Sequence, residues 1–369
     1  MKAPEIKETR YYRKEFSFSY YLQKIVLYFS ILVLITTGSF CSNEKTEKLN
    51  NLIPLVSQQS ATIQDGCYHD IFIIHDSLLV LISECDTIYF SVYNKNTLEL
   101  ITRFGKKGKG PYDFNYPFPF KTNNLGQDNK IFFDFYNLNL PTFTSINFEG
   151  IIKENNLKNN IQSEIIDKGL FGLAELCQLS NDNIAGREFD NPNGLFSIFN
   201  KSTKNKKWIS YTPLFKDVES RYYKSMYYGT LCSNGHTLVF AYRYLDIISF
   251  YDLDGKLLKQ HSYSQIAKPT LSTSFSGVED TNRIFYISSF GTKKYYLVHR
   301  AGQPWNILRD SKLFPSEILS FDWNGNLKAA YSLDYTPACF CYDEKENSIF
   351  CIERNYPIDG TVNIKKYAL

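Results

Sequence analysis

The chain has 369 residues, 28 of them tyrosine and 29 phenylalanine, with 41 basic and 38 acidic residues and a formal charge of +3. That length allows one large domain or two ordinary ones, and the aromatic content favours half-buried pleated surfaces, hence an all-β chain. Residues 1–40 hold six of the basic and three of the acidic residues, so the remainder balances at 35 of each, which argues against a nucleic-acid binder.

The first element in chain order is a targeting segment. From Ile25 to Ile35 every residue is apolar or aromatic except Ser30, after a basic stretch and before Thr36-Thr37-Gly38-Ser39-Phe40-Cys41. This is the layout of a secretory signal, and the run falls short of the ~20 residues that span a bilayer. The reading is a signal peptide over 1–40 with a lipobox-like end, a lipid on Cys41 and a flexible tether over 41–51. Phe40 departs from the small residue usual before such a cysteine. An uncleaved membrane anchor and plain secretion are the alternatives, and all three put the following domain outside the cytoplasm.

Beyond residue 51 the sequence repeats. An Asx-containing turn followed by an apolar run occurs at Asp76, Asp128, Asp182, Asn234, Asn282 and Asn347, at steps of 52, 54, 52, 48 and 65 residues. An aromatic that ends a strand and leads into a polar turn occurs at Tyr93, Phe148, Phe199, Tyr251, Phe321 and Tyr367. Two parallel series of six, at a period near 50, predict a six-bladed β-propeller over 52–369 with four antiparallel strands per blade; seven blades is the alternative count. The strands expected in the first blade are 67–74, 78–83, 87–93 and 97–104. The two marks of the fifth repeat lie 39 residues apart, against 17 to 20 in the others, which predicts an insertion at 291–314. The last repeat ends after its third strand. Leu52–Gln64, with its β-like content, is expected to complete that blade and close the ring.

Residues 103–114 read Arg103-Phe104-Gly105-Lys106-Lys107-Gly108-Lys109-Gly110-Pro111-Tyr112-Asp113-Phe114. This segment resembles the F-G-x-x-G-x-G-P-x-E-F stretch of the TolB-like six-bladed propeller lipoproteins of Bacteroidetes, with Asp113 in place of Glu. Phe321-Asp322-Trp323-Asn324-Gly325-Asn326 and Tyr367-Ala368-Leu369 are similar to that family's later blades. The resemblance implies a six-bladed propeller on an exported lipoprotein and carries no general activity with it.

The glycine-rich stretch has no following helix to meet a phosphate, so it reads as a tight inter-blade connection needing positive φ at its glycines, with Asp113 capping backbone N–H groups. In an antiparallel blade the second and fourth strands end on the same face of the disc. The loop 105–116 and the insertion 291–314 therefore share a face, together with 212–226 and Arg243-Tyr244. The candidate ligand-binding residues there are Lys106, Lys107, Lys109, Tyr112, Arg221, Tyr222, Arg243, Tyr244, His299 and Arg300, because loops on a rigid scaffold carry recognition and Arg and Tyr combine area with polar reach.

The five histidines show no metal spacing, and Asp252-Leu253-Asp254-Gly255 lacks the rest of a calcium loop and reads as a hairpin turn. No nucleophile elbow occurs. The sequence therefore leads us to expect no catalytic residues, no metal and no cofactor. Apart from the Cys41 lipid, seven cysteines remain. A disulfide among Cys339, Cys341 and Cys351 is conceivable, but buried thiols fit their apolar runs better. The expected function is an exported binding or scaffold module of the cell envelope. Its partners are the membrane, through Cys41, and a peptide, glycan or envelope protein on the loop face. The alternative is a glycan lyase or hydrolase with its site at the central channel.

Overall fold

The computed structural model describes residues 49, 51–64, 67–84, 87–122, 131–140, 142–180, 182–188, 193–274, 277–310, 314–353 and 361–369. The expected signal segment over 1–40, Cys41, most of the expected tether and the Asp128 turn lie outside the described residues. The chain divides into Met1–Lys45 and Thr46–Leu369, and the second unit holds every described strand and helix. Among the described residues no helix is long and apolar enough to cross a membrane.

That unit is a ring of six antiparallel sheets. The N-terminal segment supplies β1 (Ile53–Pro54) and β2 (Ser57–Gln64). Blade one is β3 (Tyr68–Ile74), β4 (Leu78–Ser83), β5 (Ile88–Asn94) and β6 (Leu100–Lys106). Blade two is β7 (Pro117–Pro119), β8 (Phe133–Asn137), β9 (Thr142–Ile146) and β10 (Ile161–Ile165). Blade three is β11 (Leu173–Gln178), β12 (Asn183–Glu188), β13 (Phe196–Asn200) and β14 (Lys206–Ile209). Blade four is β15 (Gly229–Ser233), β16 (Leu238–Tyr242), β17 (Ile248–Tyr251) and β18 (Leu257–His261). Blade five is β19 (Arg283–Gly291), β20 (Tyr295–Pro304), β21 (Ser316–Asp322) and β22 (Leu327–Leu333). Blade six is β23 (Pro337–Asp343), β24 (Ser348–Glu353) and β25 (Thr361–Ala368), completed by β2.

The second strands β4 and β16 are almost wholly apolar because neighbouring blades cover both of their faces. Leu78–Ser83 and Leu238–Tyr242 are buried at every residue. Continuous apolar runs follow from two-sided burial, as in the interior of any stacked sheet. Fourth strands face solvent on the rim, where Leu100, Leu257 and Leu258 are exposed.

The turns explain the period. In the hairpin after the third strand of blades one, three, four and five, an Asx side chain accepts backbone N–H groups two to four residues ahead. Asn94 Oδ1 accepts from Asn96 and Thr97, Asn200 from Thr203, Asp252 from Asp254 and Lys256, and Asp322 from Asn324 and Asn326, all at 2.8–3.1 Å. An Asx side chain imitates a turn carbonyl, so the residue recurs wherever the hairpin recurs. The Asp252 turn is thus a hairpin, as its sequence reads.

Two positions depart from the sequence reading. In blade two the strand ends at Ile146, and Asn147 instead caps a helix, α1 (Phe148–Glu154), through Gly150 N–H at 3.0 Å. Phe148 therefore leaves the strand and fills the space between blades one and two, with ring centroids 5.8 Å from Phe90 and 5.4 Å from Phe104. A second short helix, α2 (Tyr223–Met226), lies in the connection from blade three to blade four.

In blade five the run after Asn282 is the innermost strand β19, not the second. The turn between the first two strands is Thr292-Lys293-Lys294, where Thr292 Oγ1 accepts from Tyr295 N–H at 3.0 Å. A threonine performs there the task that Asx performs elsewhere, so the mark is invisible to an Asx search. The interval 291–314 accordingly holds that turn, the strand β20 and a helical connection, α3 (Trp305–Asp310).

Closure follows the sequence reading and adds to it. Ser57–Gln64 pairs antiparallel with β25 and completes blade six. Just upstream, β1 pairs parallel with β22 as a fifth strand of blade five, which the sequence did not indicate. The N-terminal segment thus stitches two blades together.

Candidate functional site

Every first strand runs from one face of the ring, the upper face here, towards the lower. The upper face therefore carries the connections from second to third strand and from one blade to the next. The connections 107–116, 210–228, 262–282 and 305–315 lie there, whereas 147–160, which carries α1, lies on the lower face.

Gly105, at φ +84, lets the chain leave β6 with its backbone against Phe90, where a Cβ would stand 2.5 Å from the ring. Gly108 and Gly110 do not have positive φ; what they provide is space, since a Cβ on Gly108 would lie 2.1 Å from Asp113 Oδ2. Asp113 accepts Gly110 N–H at 2.8 Å, the capping read from the sequence. This pinned loop exposes Lys106 and Lys109, holds Lys107 Nζ 5.6 Å from the Tyr116 ring, and packs Tyr112 against the phenylalanine cluster of blades one and two.

On the 210–228 connection Arg221 and Tyr222 immediately precede α2. Arg221 is exposed, pairs with Glu219 at 3.1 Å and lies 4.9 Å from the Tyr222 ring. Tyr222 donates to the Ser272 carbonyl at 3.3 Å, which ties this connection to 262–282. Behind them Tyr211, Tyr223 and Tyr227 form a cluster with centroids 5.4–5.7 Å apart.

Arg243 and Tyr244 follow β16. The Arg243 guanidinium lies 5.6 Å from the Tyr228 ring and 5.4 Å from the Trp305 ring on α3. Its Nε is buried and has no hydrogen-bond partner among the described residues. A second guanidinium, Arg187 at the end of β12, lies 4.1 Å from the same Tyr228 ring and donates to its hydroxyl at 3.1 Å. Arg187 Nε is 3.3 Å from Glu175 Oε2, and Leu231 N–H donates to the same oxygen at 3.0 Å. Burial of Arg187 works against its charge, but Glu175 and Tyr228 raise its pKa above the usual arginine value. Glu175 sits at φ +52 in a bulge of β11, a costly backbone for a residue with a Cβ. Burial raises the Tyr244 pKa against the opposing pull of Arg243.

His299 and Arg300 belong to the strand β20, not to a loop. His299 is fully buried, 6.5 Å from the Phe340 ring. Arg300 donates to both Asp246 oxygens, at 3.1 and 2.7 Å, and to Glu317 at 2.7 Å. Tyr286 donates to the same buried Asp246 at 2.6 Å. Arg300 therefore fastens blade four to blade five.

The inner strands bring Asp70 and Lys121 to 3.1 Å across blades one and two. Asp70 and Glu175 each face a cation, and among the described residues no group of three or more His, Cys, Asp or Glu could hold a metal ion. Cys177, Cys232, Cys339, Cys341 and Cys351 are buried thiols, while Cys67 is disulfide-bonded, which the sequence reading did not anticipate.

The structure thus gathers Arg243 and Tyr244 with three residues the sequence reading did not place in a site, Arg187, Tyr228 and Glu175, and with Trp305. They come from three blades, and a glutamate at positive φ has no sequence signature.

No family profile and no curated protein matches the chain. Among solved structures it is similar to a DUF4221 family member from Bacteroides vulgatus, at TM-score 0.58 and 14% identity over 86% of this chain and 98% of that one. It is also similar to a candidate exported protein from Bacteroides fragilis, at TM-score 0.50 and 12% identity over 88% and 98%. At such identities the likeness is one of architecture, and it agrees with the ring described above: six blades, five of four strands and one of five, closed by the N-terminal strand.

Proposed function

We propose that this protein is an exported, lipid-tethered propeller of the TolB-like kind, serving the cell envelope as a binding or scaffold module with its ligand on the upper face. The observation that carries the reading is the Arg187–Tyr228–Arg243–Trp305 stack on the face that bears the two longest connections, 210–228 and 262–282, of a rigid ring. Rigid scaffolds place recognition in such loops, and Arg, Tyr and Trp dominate binding energy where they are half-buried. Three features support export: the signal layout before Cys41, the disulfide at Cys67 and the likeness to the Bacteroides fragilis protein.

The ligand is a peptide, a glycan or another envelope protein, with Lys106, Lys107, Lys109 and Tyr112 on one side of the face and Arg221, Tyr222, Arg243 and Tyr244 on another. His299 and Arg300 support the face from within β20. Capture of envelope components by the immobilised protein tests this. Replacing the three lysines with glutamine and shortening 306–314, while keeping β20 intact, is expected to abolish capture; undiminished capture refutes the assignment of the face. For the tether, Cys41→Ser is expected to move the protein from the membrane to the soluble fraction. The inner-strand carboxylates Asp70 and Glu175 are each engaged by a cation, Lys121 and Arg187.

A further inference from the structure

We propose that Arg243 is the anchor for a carboxylate of an acidic peptide segment, an inference that deepens the upper-face reading and rests on it. Two guanidiniums share the Tyr228 ring, and Glu175 pairs with one of them, Arg187. Arg187 is committed to Glu175 and to the Tyr228 hydroxyl. Arg243 lies close to Tyr228 and Trp305, forms no ion pair among the described residues, and leaves its buried Nε–H without a partner there.

The planar guanidinium fork matches the planar carboxylate, and a ring at each side restrains its rotation before the ligand arrives.

The stack is built for a purpose beyond folding. Glu175 holds it from a positive-φ bulge, and strained positions of that kind gather at binding sites. On the same face Lys106, Lys107 and Lys109, at the connection from blade one to blade two, and Lys224 are exposed. Several spaced cations suit a chain carrying several carboxylates, and the Tyr-rich, Arg-rich surround has the composition of a protein-binding hot spot.

Fluorescence anisotropy with labelled hexaglutamate, and with hexaglutamine as its neutral counterpart, tests the proposal on the Thr46–Leu369 unit and on the full chain. Saturable binding of hexaglutamate alone is expected. Arg243→Gln and Arg243→Lys should each weaken it about tenfold or more, since lysine keeps the charge and loses the fork. Thermal melts of both variants should match the parent, which separates loss of binding from loss of fold.

Binding unchanged in Arg243→Gln but lost with the three lysines replaced overturns the anchor and leaves the face intact. Binding unchanged in both overturns the face as well. No binding of hexaglutamate, or binding only of a galacturonate oligomer added as a third probe, overturns the acidic peptide.

Discussion

Lys95, in the hairpin of the first blade, is buried against Asp343 at the end of the innermost strand of the last blade, and it reaches Glu346 at 2.8 Å. Burial works against the lysine charge, but the two carboxylates raise its pKa above the usual value. The contact joins the two blades that meet at the ring's closure.

Removing one partner leaves a buried charge without its counterpart. Lys95→Met is therefore expected to cost about 3 kcal/mol, read by urea unfolding. The double variant Lys95→Met with Asp343→Leu should recover most of that loss, because two apolar groups restore a neutral interior. Equal damage in the single and double variants would show that packing of the lysine stem, not its charge, matters.

The same clasp predicts a pH dependence. Lys366 and Lys95 hold Glu346 below the ordinary glutamate value of 4.5. A depressed folded pKa stabilises the fold above that value, and the stabilisation is lost as pH falls through the folded pKa. The melting temperature of Glu346→Gln should lie below that of the parent at neutral pH and converge with it in acid. A constant difference across that range would contradict the assignment.

Arg300 is expected to act on stability. Arg300→Ala leaves the fully buried Asp246 facing only the Tyr286 hydroxyl, at a cost of about 3 kcal/mol or more. Chemical unfolding reads that loss directly. A variant as stable as the parent would show that Arg300 is available to a ligand after all.

Burial pushes the Cys232 and Cys351 thiols up to about 12, so neither forms thiolate near neutral pH. Peptide mapping after maleimide treatment should find both unmodified in the native protein and modified after unfolding in guanidinium. Native labelling of either would mean that blades four or six open far more often than their packing implies.

The N-terminal strand is the most consequential element to remove. A chain starting after Gln64 leaves β25 with an open edge and is expected to aggregate, whereas one starting at Thr46 should melt as the full chain does. Sedimentation and melting of the two shortened chains distinguish these outcomes.

Much of this fold was legible because its hairpins share one chemical solution. Asn94, Asn200, Asp252 and Asp322 mark their turns by the hydrogen bonds that their side chains make. Legibility failed where another residue solved the same problem, as Thr292 does, or where the turn became a helix, as after Asn147. The face shared by the loops followed from strand direction alone. The stack on it did not, because Glu175, Arg187, Tyr228, Arg243 and Trp305 meet only when three blades are assembled. His299 and Arg300 looked like loop residues because the blade-five marks were out of phase by one strand.

Thr62 and Asn363, partners at 2.8 Å across the closing pair of strands, stand 301 residues apart in the chain. The pairing of β2 with β25 is therefore among the most non-local contacts available to this polypeptide, and chain-order synthesis makes it the last of the blade pairings to become possible. Until β25 emerges, Ser57–Gln64 has no sheet to join, and the growing chain holds five blades with two raw edges. Closure of the ring thus waits on that strand, and the interval before closure is when the protein is most exposed to aggregation.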